Sequence, residues 1–389
     1  EAAAAAGLMA AGLKVVRSGC GPSPMLYFAA HHFATDAGMM ITGSHNPPEY
    51  NGIKMTFQNR AFFGDDIQTL GRRVAAGDFI DGDGQSEQHD ILKEYVARVA
   101  ADYAGARPLK VAWDPGNGAA GDAVQALVAL LPGEHVLINE VIDGTFPNHH
   151  PDPTVEANLA QLKAVVAAER CDVGIAFDGD GDRIGVVDGL GRVLWGDQIL
   201  VVLARDVLAE LPGATIIADV KASRLFQDEI ERLGGVPILW KTGHSHIKKK
   251  LADSGAPLAG EMSAHIFFKH RYYGYDDALY AAVRLLSVVA GGDESLAEIR
   301  DGLPPYVNTP ELRFDCAEER KFQVVEEVSA RLATAGTDVI DIDGVRVESD
   351  DGWWLLRASN TQAVLVARCE STTEAGLERL KAALAAQLR

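Results

Sequence analysis

Three times along this chain a short apolar run passes into a turn and then into a helix. The runs are Lys14–Arg17 before GCGPSP, Lys110–Trp113 before DPGNG and Thr215–Ala218 before DVKAS. The first two lead into helices from about Met25 and Ala119; the third leads into a helix to about Leu233 and then a strand at Val236–Trp240. Strands alternating with helices in this way call for mainly parallel α/β units, whose ligand loops lie at the carboxyl ends of the strands. The recurrence is one of rhythm and not of letters.

Breaks fall at DGDGQSEQHD (Asp81–Asp90), near Gly189–Trp195 and at GLPPYVNTP (Gly302–Pro310). After the last break the rhythm changes. A helix over about Ala317–Ala333 precedes strands near Asp338–Ile342, Val345–Glu348, Trp353–Arg357 and Ala363–Cys369, and a closing helix. The expected units are residues 1–89, 90–192, 193–304 and 305–389, three alike and one different. The 36 basic and 55 acidic residues leave a net charge of −19, which argues against nucleic acid or an anionic membrane as partner. An anionic ligand would need its Lys and Arg contacts gathered in a cleft. Four widely spaced cysteines without a CxxC pair suit a reducing cytoplasm, and no apolar run reaches membrane-spanning length. The opening EAAAAAGLMAAGL lacks the basic leader and cleavage site of a signal peptide and reads as an Ala-rich helix.

The chemistry concentrates in a few loops. Asp178, Asp180 and Asp182 alternate with glycines in DGDGDR after the strand Val173–Phe177, so the backbone can curl three carboxylates onto one hard cation. An EF-hand would need Glu at its twelfth position, which is Gly189, and Mg²⁺ is the better fit. An acidic turn without metal is the plain alternative, but its carboxylates would repel one another. In ITGSHNPPEYNG, Ser44 and His45 sit at the rim of a stiff loop after the strand Gly38–Thr42. There is no GxSxG elbow and no clear acid partner for His45, which argues against an acyl-transfer triad, and a serine carrying a phosphoryl group opposite Mg²⁺ competes with an ordinary turn. Glu261, Ser263 and His265 in GEMSAH share one face if the segment is extended, and could meet neighbouring sugar hydroxyls or merely cap. KTGHSH (241–246) is similar, with Lys248, Lys249 and Lys250 in the helix beyond it read as solvated. Arg357, Ser359, Asn360 and Thr361 in RASNT form either a phosphate cradle or a capped turn. His31-His32 and His149-His150 lack metal-ligand spacing and read as surface or core residues.

Taken in order, TGSHNPPEYNGIK, DGDGDR, GEMSAH and RASNT resemble the α-D-phosphohexomutase family, and most the bacterial phosphomannomutase/phosphoglucomutase branch, over essentially the whole chain. The resemblance implies three related α/β domains with mixed sheets plus a smaller α+β C-terminal domain around a central cleft. It also implies an isomerase that interconverts hexose 1-phosphate and hexose 6-phosphate, of mannose and/or glucose, through an active-site phosphoserine and a 1,6-bisphosphate. Ser44 would carry the phosphoryl group and bind Mg²⁺ with Asp178, Asp180 and Asp182; Arg183 would steady phosphoryl oxygens, and His45 and Lys54 would manage proton and charge. Lys221 and His244 resemble third-domain site residues, Glu261 and Ser263 would hold sugar hydroxyls beside His265, and Arg357, Ser359, Asn360 and Thr361 would grip the non-reacting phosphate. A small phosphosugar, a hexose 1,6-bisphosphate activator, and a cytoplasmic monomer or weak dimer complete the expectation.

Rivals are a phosphoglucosamine mutase, whose sugar loop usually has Gln where Met262 stands, a Mg²⁺-dependent phosphohydrolase, and a non-catalytic phosphosugar-binding protein. Two departures from the family pattern stand out. The N-terminal strand segment with its Tyr-Asp-Ile-Arg-Gly-like motif and active-site arginine does not occur in these 389 residues, which puts their activity alone in question. Ala264 stands where the sugar loop usually has Gly, where a methyl group would alter the backbone or crowd the sugar.

Overall fold

The computed structural model describes residues 1–47, 49–360 and 362–388 and arranges their strands in five sheets. The second and third rhythmic stretches follow one plan. In the second, Leu109–Asp114 lies between Gly133–Leu137, parallel on the edge side, and Val173–Phe177, parallel at the centre of the sheet. Ile184–Asp188 then returns antiparallel, and Val193–Leu194 forms the edge. In the third, Thr215–Asp219 is central between parallel Val236–Trp240 and Leu258–Gly260, and Ile266–Phe268 returns antiparallel. Strands buried on both faces need continuous apolar sequence, and VGIAF and IGVVD supply it.

The first stretch departs from that plan. Among the described residues Lys14–Arg17 pairs in parallel with Gln85–Gln88 as a two-stranded sheet, while Ala37–Ile41, Ile53–Phe57 and Arg60–Ala61 form a separate antiparallel sheet. What anchors this region is the helix Ser23–His32, whose residues from Ser23 through Ala30 are all buried. Met25, Leu26 and Phe28 join a continuous apolar cluster that runs through the first three units to Leu303.

The last stretch is antiparallel throughout, in the order Val307–Asn308, Val364–Ser371, Gly352–Ala358, Val345–Ser349, Val339–Ile340, with Leu312–Asp315 also on Val364–Ser371. The helices Lys321–Thr334 and Glu374–Gln387 cover it and close a core of their own around Val328, Trp354, Leu356 and Leu380. Loops after Ile41, Phe177, Asp219, Trp240, Gly260 and Ala358 all leave the carboxyl ends of strands, and these are the loops that carry the chemistry-bearing residues. No helix among the described residues is long and apolar enough to cross a membrane.

Candidate active site

The loop 178–183 is the turn between Val173–Phe177 and Ile184–Asp188, where Phe177 pairs with Ile184. Asp178 Oδ1 accepts the backbone N–H groups of Asp182 and Arg183, each at 3.1 Å, and this folds the loop onto its first aspartate. Asp178, Asp180 and Asp182 thereby offer carboxylate oxygens within 4.8 Å of one another. Asp180 Oδ1 and Asp182 Oδ1 are buried with no hydrogen-bond partner. Clustered carboxylates with bare buried oxygens suit a hard divalent cation, so the residues present fit one. Lys54 Nζ answers part of this charge, 2.6 Å from Asp180 Oδ2 and 2.5 Å from Asp182 Oδ2. Burial, then the neighbouring Asp182 carboxylate, raise Asp178 to about 7. Burial pushes Asp182 the same way, but Lys54 and His265 hold it below the usual carboxylate range.

Ser44 reaches this trio from the first unit. A Cβ on Gly179 would lie 2.2 Å from the Ser44 carbonyl oxygen, so only glycine lets the two loops press together. Ser44 itself has φ 53, left-handed and uncommon for a residue with a side chain. Its N–H donates to Thr42 Oγ1 at 2.9 Å, and Thr42 Oγ1 in turn donates to Asp180 Oδ2 at 3.1 Å. The same carboxylate oxygen accepts Ser23 Oγ at 2.6 Å. Ser44 Oγ is left 3.1 Å from Asp178 Oδ2 and 3.1 Å from His45 Nδ1. Arg183 places Nε 2.9 Å from Asp178 Oδ2 and Nη1 3.3 Å from Asp152 Oδ1, and its Nη2 meets His45 Nδ1. Burial, then the Arg183 charge, push His45 down to about 4.

The third unit supplies a second wall, and here one condition is not met and one expectation is corrected. Residues 261–265 are not extended. They form a turn between Leu258–Gly260 and Ile266–Phe268, closed by Glu261 N–H to His265 O at 2.9 Å and Ala264 N–H to Glu261 O at 2.8 Å. Ala264 takes φ 67, so alternation along a strand is not what sets the directions of Glu261, Ser263 and His265. Glu261 is buried, its Oε1 accepts the Gly243 N–H at 2.6 Å, and burial raises it to about 7 against the pull of His265. Ser263 is half-buried on the same turn.

The corrected expectation is Lys248, which is not solvated. It lies one helical turn beyond His244, and its Nζ donates to Asp276 Oδ1 at 2.8 Å and Tyr27 Oη at 3.1 Å. Asp276 is wholly buried, and its Oδ2 lies 3.1 Å from His265 Nδ1 and 3.4 Å from His244 Nδ1. The two imidazoles stack with centroids 5.6 Å apart. Burial would lower both histidines; it does lower His244, whereas Asp182 and Asp276 raise His265 to about 9. Lys221 is buried at the end of Thr215–Asp219, with Nζ 3.4 Å from Glu311 Oε2 of the last unit.

In the C-terminal unit, Arg357 ends the strand Gly352–Ala358 and is buried, with Nε 3.0 Å and Nη2 3.4 Å from the two oxygens of Asp343. The following turn is closed by Ser359 N–H to Val364 O at 3.0 Å and Gln362 N–H to Ser359 Oγ at 3.2 Å. Asn360 is exposed on it, and Thr361 lies outside the described residues. The structure thus gathers Ser44, His45, Lys54, Asp178, Asp180, Asp182 and Arg183 into one contact network. It joins His265 to that network through Asp182, and His244 through Asp276. Ser23, Thr42, Asp152, Asp276 and Asp343 belong to the same surroundings and were not singled out in the sequence. Of the residues misread or passed over, Lys248 alone carried a readable local signal, its four-residue spacing from His244.

A carboxylate trio fit for a divalent cation, under a serine hydroxyl, suits an enzyme that transfers phosphoryl groups. Models of the phosphoglucomutase/phosphomannomutase domains match in chain order: alpha/beta/alpha domain I at residues 1–81, domain II at 93–191, domain III at 195–306 and the C-terminal domain at 311–387. The phosphomannomutase/phosphoglucomutase of Pseudomonas aeruginosa is 43% identical over 383 residues, 98% of this chain and 83% of the relative. A crystal structure of a phosphoglucomutase/phosphomannomutase family protein from Burkholderia thailandensis superimposes with a TM-score of 0.93 at 43% identity, covering 100% of this chain and 85% of that one. The Aspergillus fumigatus N-acetylphosphoglucosamine mutase in complex with GlcNAc-6P and magnesium shares the fold, with a TM-score of 0.62 at 14% identity over 94% of this chain and 92% of that one. The chain belongs to the phosphoglucomutase/phosphomannomutase family.

Proposed function

We propose that this chain interconverts the 1- and 6-phosphates of a hexose, mannose or glucose or both, with Ser44 as the phosphoryl carrier. The observation that carries the reading is Ser44 Oγ held 3.1 Å from Asp178 Oδ2, above a carboxylate trio with bare oxygens. Phosphoryl transfer asks mainly for alignment and charge neutralisation, and this end of the site offers both.

Asp178, Asp180 and Asp182, with Ser44 Oγ, would hold Mg²⁺, which when bound supplies positive charge to the transferring group. In the forward half, phosphoserine Oγ–P breaks as the free hydroxyl oxygen of a hexose monophosphate bonds to phosphorus. The hydroxyl loses a proton, Ser44 Oγ regains one, and a hexose 1,6-bisphosphate results. His45, with Nδ1 3.1 Å from Ser44 Oγ, would orient the seryl hydroxyl, and Arg183 and Lys54 would bring cationic charge to the phosphoryl oxygens. Turned end for end, the bisphosphate returns its other phosphoryl group to Ser44.

Glu261, Ser263, His244 and His265 would orient the sugar ring. Arg357, Ser359 and Asn360, with Lys221 nearby, would grip whichever phosphate is not reacting. Magnesium with a sugar phosphate in the Aspergillus relative supports the ligand pair.

The test is a coupled assay with mannose 1-phosphate and glucose 1-phosphate, with the 1,6-bisphosphate added, alongside intact mass of the protein. Turnover of either sugar, and one phosphate that Ser44→Ala removes, are expected. Steady release of inorganic phosphate without isomerisation would replace the mutase reading with a phosphohydrolase.

A further inference from the structure

We propose that Asp343 is a positioning residue that sets Arg357 for phosphate and ties that grip to the sugar-facing turn. The proposal rests on reading Arg357 as a phosphate ligand. Asp343 comes from the loop between the strands Val339–Ile340 and Val345–Ser349, and no motif marks it. Its Oδ2 is shared: Arg357 Nε donates to it at 3.0 Å and the Thr242 N–H of the third unit donates at 3.0 Å. One carboxylate oxygen therefore spans the boundary between two units.

The contact continues inward on both sides. Thr242 Oγ1 donates to Asp219 Oδ2 at 3.1 Å, and Asp219 Oδ1 accepts the Met262 N–H at 2.9 Å. The next residue, Gly243, donates its N–H to Glu261 Oε1 at 2.6 Å. From Arg357 to the 261–265 turn there is thus an unbroken run of directed hydrogen bonds through Asp343. On the other side, the loop is pressed against Arg357. A Cβ at Gly344, which has φ +88, would lie 2.6 Å from Arg357 Cβ and 2.4 Å from Leu356 O.

Asp343 engages the Nε–Nη2 edge of the guanidinium and leaves Nη1 out of its contact. A planar fork pinned along one edge by a carboxylate presents its other edge in a fixed direction, which is what bidentate phosphate recognition requires. For a substrate that must bind in two orientations, a fixed distance between phosphate grip and sugar turn matters more than either alone. Asp343 supplies the link between them.

The experiment uses the full chain with Asp343→Asn, Asp343→Ala, Arg357→Ala and the Asp343→Ala/Arg357→Ala double variant. With folding confirmed by circular dichroism, KM for hexose 1-phosphate and hexose 6-phosphate is expected to rise about tenfold in Asp343→Ala, with kcat within about threefold of the parent. The double variant is expected to be no worse than Arg357→Ala, because Asp343 acts through the guanidinium. Loss of phosphate from phospho-Ser44 to water, measured by mass without sugar, is expected to be unchanged.

The proposal is overturned if Arg357→Ala raises KM and neither Asp343 variant does, or if the two effects simply multiply in the double variant. Should Asp343→Ala fail to fold, the isosteric Asp343→Asn carries the same KM criterion. If Arg357→Ala itself leaves KM unchanged, the phosphate reading of Arg357 falls, and the proposal falls with it.

Discussion

The two ends of the site are held in different ways. The transfer end forms where the Ser44 loop and the 178–183 loop meet, and both are carried on the apolar cluster shared by the first three units, through Met25, Ala120, Phe177 and Leu279. The grip end belongs to the C-terminal unit, which has its own core. A small apolar patch of Val220, Trp353 and Leu355 bridges that unit to the third, and Ile340 packs against the shared cluster. Around the patch the contacts are polar. Arg346, lowered to about 10 by burial, lies 3.8 Å over the Trp353 ring and donates to Val220 O at 2.8 Å and Ala222 O at 2.9 Å. Apolar packing is non-directional and cumulative, whereas hydrogen bonds at a junction can be broken singly. On the proposed reading the Ser44 end sits on the shared apolar core and the Arg357 end on a unit with its own core, so variants at the two ends should fail differently.

The largest effect is expected at the transfer end. Ser44→Ala removes the carrier oxygen, and turnover of glucose 1-phosphate should fall by about 10⁴-fold or more with little change in KM. A variant that keeps a tenth of the parent rate would break the comparison at once. Next in size is removal of divalent cations. Stripping with a chelator should lower kcat by about 100-fold or more, and Mg²⁺ should restore it, because the bare oxygens of Asp180 and Asp182 call for a cation there. Unchanged kcat after verified metal removal would mean that Lys54, Arg183 and His265 suffice to balance the trio.

These two predictions concern the part of the molecule most legible in the sequence. Asp178, Asp180 and Asp182 lie within five residues and the glycines between them advertise the curl, so local sequence carried nearly all of the geometry. The rhythm likewise conveyed the second and third sheets. In the first region it conveyed the strand Lys14–Arg17 and its helix but not the pairing, with Ala37–Ile41 folded back antiparallel on Ile53–Phe57 in a separate sheet. Whether 261–265 is extended was not legible in the sequence, because the left-handed φ at Ala264 runs against alanine's own preference. Asp276 and Asp343 had no local signature: each matters through partners far away in the chain, His244 and His265 for one, Thr242 for the other.

At the grip end the expected effect is smaller and of another kind. Arg357→Ala should raise KM for hexose phosphates by about 10- to 100-fold, the worth of charge-assisted hydrogen bonds to one phosphate, while kcat stays within about threefold. Initial rates over a range of substrate concentrations separate the two parameters. A fall in kcat with constant KM would place Arg357 in the chemistry and erase the division of labour.

The smallest effect is expected between the two ends, at Ala264. Its left-handed backbone costs about 1–2 kcal/mol for a residue with a Cβ, which Gly would relieve. Against that, Ala264 is buried in the shared core, and losing its methyl group forfeits about 0.8 kcal/mol. The greater freedom of Gly in the unfolded chain offsets about 0.5–1 kcal/mol more. The terms nearly cancel, so Ala264→Gly should leave stability to denaturant within about 1 kcal/mol of the parent. If the methyl group serves only the core, KM for mannose and glucose phosphates should shift together and by less than about threefold, under 1 kcal/mol of binding. A tenfold change for one sugar and not the other would show that this methyl group reaches the substrate, and would make the turn a third region with a specificity of its own.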